Sequence, residues 1–114
     1  MICELHADIP VDDFETAYAW YQIFFSRRAD LSPQPGEALW QVAGAGWISL
    51  VCDVQRSGSA ALTMLVDDLE QHVGHLAMRG IAPESIETVT GVVRKATIID
   101  PAGNTVTIAE RLSA

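Results

Sequence analysis

An internal repeat constrains this chain more than any other feature, because Val11-Asp12-Asp13-Phe14-Glu15 returns as Val66-Asp67-Asp68-Leu69-Glu70. The copies are 55 positions apart, residue 11 against residue 66, in a chain of 114. A period that fills half the sequence implies two copies of one small unit. In each copy an apolar residue precedes an Asp suited to cap a helix, Asp12 or Asp67, with Glu three positions later. That is the capping-box pattern of a helix start. Each half is therefore expected to open with a strand running straight into a helix.

The flanking sequence fills in both units. Ile2 to Ile9 alternates Leu5, Ala7 and Ile9 against Glu4, His6 and Asp8, a strand with one packed and one polar face. Pro10 is expected to end it. Apolar residues at Phe14, Ala17, Tyr18, Tyr21, Phe24 and Phe25 then recur at helical spacing, with Arg27 and Arg28 suited to the negative end of the helix. Breakers mark 32–36 as a loop, 38–42 and 47–53 as strands and 55–59 as a short joint. In the second unit 61–66 reads as a strand, 68–79 as a helix ended by Gly80, and 86–90, 92–99 and 105–110 as strands. Asp100-Pro101-Ala102-Gly103-Asn104 is a tight turn. The register of Trp40 is not fixed by pattern alone.

Composition narrows the class. A chain of this length fits one domain, with module one spanning about 1–54 and module two about 60–114. Hydrophobic residues make up 49% and charged residues 19%, which excludes extensive disorder. No apolar run approaches the ~18 residues that span a bilayer, and Met1-Ile2-Cys3-Glu4 does not begin an export signal. A cytoplasmic location without a membrane role is expected. Cys3 and Cys52 are expected as free thiols within strands, serving as small core residues. Fifteen acidic against seven basic residues give a net charge of -8, which argues against a nucleic-acid partner and favours a cationic ligand.

The ordered pieces Ile9-Pro10-Val11-Asp12-Asp13-Phe14-Glu15 with Ala19-Trp20-Tyr21, then Val66-Asp67-Asp68-Leu69-Glu70, then Arg94 with Ile99-Asp100-Pro101-Ala102-Gly103-Asn104, resemble the vicinal oxygen chelate superfamily. That group includes glyoxalase I, bleomycin-resistance proteins and extradiol dioxygenases, and the resemblance covers essentially the whole chain. It implies an α+β fold of two tandem βαβββ modules, whose sheets curl into a half-barrel around a concave pocket, and a homodimer. It also implies divalent-metal ligands at four positions on the first and last strands of the modules. Here those positions are His6, Ala61, Ser49 and Thr107. One imidazole cannot hold Zn, Ni, Fe or Mn in a site needing three or four ligands. Glu4 and Asp8 share the face of His6 and leave a displaced site open, whereas Glu110 lies three residues beyond Thr107 and faces the other way.

Other constellations are weaker. His72 and His75, three apart on a helix, read as surface histidines without a third ligand, and no Ser, Cys or Lys stands in a nucleophile motif. Strand alternation and the implied pocket give Glu4, His6, Asp8, Trp47, Ser49, Thr63, Arg94, Thr105 and Thr107 as its lining. Trp47 beside carboxylates suits a cation on its ring face. The plain alternative for these residues is a solvated sheet face, or one covered by a dimer partner. The expectation is a small-molecule binding protein for a cationic or antibiotic-like ligand, without catalytic residues or a cofactor. The competing expectation is a divalent-metal-dependent lyase, isomerase or dioxygenase with a rearranged site. A third is a module whose concave face binds another protein.

Overall fold

In a computed structural model the described residues, 1–112, form an α+β fold of two compact units. The order is β1 (Leu5–Val11), α1 (Phe14–Phe25), β2 (Glu37–Ala43), β3 (Gly46–Cys52), β4 (Ala61–Leu65), α2 (Leu69–Met78), β5 (Ser85–Val89), β6 (Val93–Ile99) and β7 (Thr105–Arg111). The first unit comprises Met1–Ala60 with Pro101–Asn104, and the second comprises Ala61–Asp100 and the residues from Thr105 on. Each unit holds one open, mixed sheet and one helix. The first sheet has the order β1-β3-β2 and the second β4-β7-β6-β5.

The repeat predicted from sequence is present at the level of register. β1 runs parallel to β3 with His6 opposite Trp47 and Asp8 opposite Ser49. β4 runs parallel to β7 with Ala61 opposite Thr105 and Thr63 opposite Thr107. In the antiparallel ladders Ala38 faces Leu50, as Ala96 faces Ile108. The second unit is a βαβββ module. In the first, the strand matching β5 shrinks to one bridge between Leu31 and Leu39. Pro33 and Pro35 follow at once and cannot donate to a ladder, so that strand has nowhere to extend.

Both helices begin one residue later than the sequence pattern suggested. Asp13, not Asp12, caps α1 by accepting from the Thr16 N–H at 3.1 Å, and Asp68, not Asp67, caps α2 through the Gln71 N–H at 3.1 Å. The doubled Asp made either reading possible. The residue whose backbone is extended takes the role. The Asp12 carboxylate instead accepts from the Asp13 N–H and the Ser57 hydroxyl. Both helices also end alike. Arg27 N–H reaches Gln22 O while Ser26 N–H reaches Ile23 O, and Ile81 N–H reaches Leu76 O while Gly80 N–H reaches Ala77 O. This is the Schellman pattern, which needs a left-handed residue; Ser26 at φ 59° fills it in α1 and Gly80 at φ 85° in α2.

In the first unit α1 lays Ala17, Tyr21 and Phe24 on the sheet face made by Ile9, Val11, Ile48, Leu50 and Trp40. Trp40 is fully buried among Tyr18, Tyr21 and Phe25, and its indole N–H donates to Arg27 O at 3.1 Å. An aromatic residue of this size removes about 150–250 Å² from water, on the order of 4–6 kcal/mol before ordering costs. Arg27 pairs with Asp30 at 2.6 Å and donates to Gln41 O, a more specific task than the dipole role expected of it.

Pro10 does not end β1, which runs to Val11. β1 is an edge strand, where a residue without an N–H is tolerated. The Pro10 carbonyl accepts from Asn104 Nδ2 at 2.9 Å and from the Gly58 N–H at 3.3 Å. Asn104 is fully buried and also accepts the Ala60 N–H at 2.9 Å. Cys3 lies outside any strand, and both cysteines are free and exposed rather than core. Among the described residues no helix is long and apolar enough to cross a membrane.

Candidate functional site

The face of the first sheet opposite α1 carries His6, Asp8 and Pro10 from β1, Trp47, Ser49 and Val51 from β3, and Leu39 and Gln41 from β2. Strand alternation makes this the polar row read from sequence, and the parallel register fixes which side chains meet. His6 and Trp47 are direct partners. Their rings lie nearly parallel, 5.7 Å between centroids and 6° between planes. The imidazole of this chain thus packs alongside the Trp47 ring.

Both imidazole nitrogens of His6 are engaged. Nε2 lies 2.8 Å from Glu4 Oε1, and Nδ1 lies 3.2 Å from Ser49 Oγ. An ionised carboxylate only accepts, so Nε2 carries the proton; in the neutral ring Nδ1 is then an acceptor and the Ser49 hydroxyl donates to it. Glu4, His6 and Ser49 form one hydrogen-bonded chain, with Ser49 5% exposed at its inner end. Asp8 sits beside Ser49 in the ladder.

Among the described residues no three His, Cys, Asp or Glu side chains converge on a point where a metal ion would bind. Glu4 and His6 supply two donors at most, and a Zn²⁺ site needs three protein ligands even when catalytic.

In the second unit Thr63, Thr105 and Thr107 share the face opposite α2, joined by Thr97, which stands across from Thr107. Arg94 does not belong with them. It pairs with Glu110 in register, on the face that carries Ala96, Ile98, Val106 and Ile108 toward the helix. The odd-even count along β6 decides this, since Arg94 and Thr97 are three apart and point oppositely. Glu110 lies on the helix side as expected and accepts the Leu69 N–H at 2.7 Å, supporting the α2 start. A shallow depression of about 310 Å³ is lined by Leu65, Val66, Asp67, Glu110 and Arg111, none of them a predicted site residue. His72 and His75 are exposed on α2.

Thr97 and Gln41 were missed in the sequence. Thr97 was findable by counting back from Thr107 across a hairpin. Gln41, the partner of Trp47, was hidden by the register shift between Gln41 and Ala43.

No family model matches the chain, and no curated protein sequence matches it. Solved structures do. A glyoxalase/bleomycin resistance protein from Catenulispora acidiphila is 30% identical with a TM-score of 0.90, over 96% of this chain and 98% of that one. TnmS3, an antibiotic binding protein from Streptomyces sp. CB03234, is 23% identical with a TM-score of 0.79, over 97% of each chain. A lactoylglutathione lyase from Agrobacterium tumefaciens is 21% identical with a TM-score of 0.72, over 93% of this chain and 91% of that one. The last two share the fold. With the repeated modules, the matching ladders and a full-length relative at that identity, the chain belongs to the glyoxalase/bleomycin-resistance family of the vicinal oxygen chelate superfamily.

Proposed function

We propose that this protein binds a small organic molecule without a metal ion, on the sheet face that carries His6, Trp47 and Ser49. One observation carries the reading: each nitrogen of His6, the single imidazole at a family ligand position, is already held by a side chain of its own chain, Glu4 or Ser49. A ligating histidine needs one nitrogen free for the metal. What is left is an aromatic and hydroxyl-bearing surface rimmed by the Glu4 and Asp8 carboxylates, suited to orienting a small cationic or antibiotic-like ligand through a few polar groups. The fold shared with an antibiotic binding protein supports the same direction. We also assign the protein to the cytoplasm as a homodimer.

The test is elemental analysis of untagged protein purified without chelators, followed by calorimetric titration with bleomycin and a set of small aromatic cations. The expected result is far less than one metal per chain and saturable binding that His6→Ala with Trp47→Ala removes. Stoichiometric Zn, Ni, Fe or Mn with chelator-sensitive turnover would replace this reading by a metal-dependent lyase, isomerase or dioxygenase.

A further inference from the structure

The chain Glu4–His6–Ser49 has the connectivity of an activated nucleophile: a hydroxyl hydrogen-bonded to an imidazole whose other nitrogen is held by a carboxylate. We propose that Ser49 is a nucleophile that accepts acyl groups from activated donors, namely phenyl esters and strained lactones. The catalytic residues are Ser49 and His6, and Glu4 is a positioning residue. The carboxylate fixes the proton on Nε2, so the Nδ1 lone pair faces the Ser49 hydroxyl at 3.2 Å.

The step balances within the site. Ser49 Oγ bonds to the acyl carbon as its proton passes to His6 Nδ1, and the bond from acyl carbon to leaving oxygen breaks. The leaving phenolate or opened alkoxide takes the proton back from Nδ1. Water then attacks the acyl-serine by the same route in reverse, returning the proton to Oγ and releasing the acid.

The surroundings set the donor class. β3 is hydrogen-bonded on both sides, by β1 and by β2, so its main-chain N–H groups are committed to the ladders and do not gather around a developing oxyanion. Without that stabilisation, worth about a hundredfold or more in rate, amides and alkyl esters are out of reach. A good leaving group or ring strain must supply the difference. At 5% exposure Ser49 admits only a short acyl group.

The proposal rests on this face being open to small molecules, as the binding reading also requires. Native protein is incubated with p-nitrophenyl acetate and, separately, with a β-lactone, then measured by intact mass and peptide mapping. One acyl group on Ser49 is expected, absent in Ser49→Ala and formed roughly a hundredfold more slowly in His6→Ala, the usual scale of general-base assistance. Glu4→Gln should slow acylation and move its pH profile, which loss of a merely structural contact would not do. Circular dichroism confirms that each variant is folded. Acylation at Lys95 and the N-terminus in place of Ser49, or an unchanged rate in His6→Ala, overturns the proposal. Reversible binding of an unreactive ligand without any adduct retires this proposal alone, and absence of both retires the binding reading with it.

Discussion

Replacing Asn104 with Ala should cost more stability than any exposed substitution in the chain. Its Oδ1 accepts the Ala60 N–H and its Nδ2 donates to the Pro10 carbonyl, each at 2.9 Å, and the side chain is fully buried. A buried hydrogen bond contributes about 0.5–1.5 kcal/mol net, and a partner left unsatisfied costs about 1–3 kcal/mol. Pro10 O keeps the longer bond from the Gly58 N–H at 3.3 Å, which softens one of the two losses. The total comes to about 2–4 kcal/mol. With a urea slope near the low end for small proteins, roughly 1–1.5 kcal/mol/M, the midpoint should fall by about 2 M with an unchanged slope. Asn104→Asp keeps an acceptor for Ala60 but turns a carboxylate toward the Pro10 carbonyl, so it should destabilise at least as much. Urea titrations followed by near-ultraviolet and far-ultraviolet dichroism measure both. A loss below about 0.5 kcal/mol for Asn104→Ala, the scale of a surface substitution, would refute the claim that this side chain fastens the turn within the first unit.

The paired helix ends supply an internal control. Ser26 holds a left-handed conformation that costs an L-residue about 1–2 kcal/mol, so Ser26→Gly should stabilise by about 0.5–1 kcal/mol while Gly80→Ser destabilises by a similar amount; thermal melts in which both shift the same way would contradict it. Acid sensitivity follows from two carboxylates. The Thr16 backbone N–H and hydroxyl hold the Asp13 pKa below its ordinary value, and the Arg27 guanidinium with the Gln41 N–H does the same for Asp30. Because these pKa values are lower folded than unfolded, the stability they add is complete above the ordinary carboxylate range and lost as the pH falls through the lowered values, below about pH 4. Asp30→Asn should flatten the fall of melting temperature in that window, and an unaltered slope would count against the assignment.

The sequence made the fold legible wherever one physical rule acted alone. Helical spacing placed Tyr21 and Phe24 in the core, and strand alternation placed His6, Asp8, Trp47 and Ser49 on one face. It failed where two rules competed. The doubled Asp offered two caps and only backbone geometry selected Asp13 and Asp68. Pro10 reads as a terminator, yet an edge strand has one side that needs no donor. Arg94 was grouped with Thr105 and Thr107 by strand alternation and the implied pocket together, although parity along β6 and β7 sets it on the helix side. The hydrogen bonds of His6 lay beyond sequence reading for another reason. Glu4 could be seen on its face, but Ser49 lies 43 positions away and meets it only through the parallel register.

That register also separates what folding requires from what it does not. Each demand of the fold is met twice: an Asp cap, a left-handed helix end, a buried Ala against a large aliphatic partner. On the opposite faces the same ladder positions hold His6 and Trp47 in one unit but Ala61 and Thr105 in the other. Ala and Thr suffice to build the strand pair, so His and Trp at those positions answer no need of the sheet. Glu4 and Ser49 then engage both nitrogens of that one imidazole, ordering a polar group that would otherwise be satisfied by water at no cost in side-chain freedom. An arrangement that stability alone does not call for, present in one unit and without counterpart in the other, is the ground on which the proposed binding site was placed there.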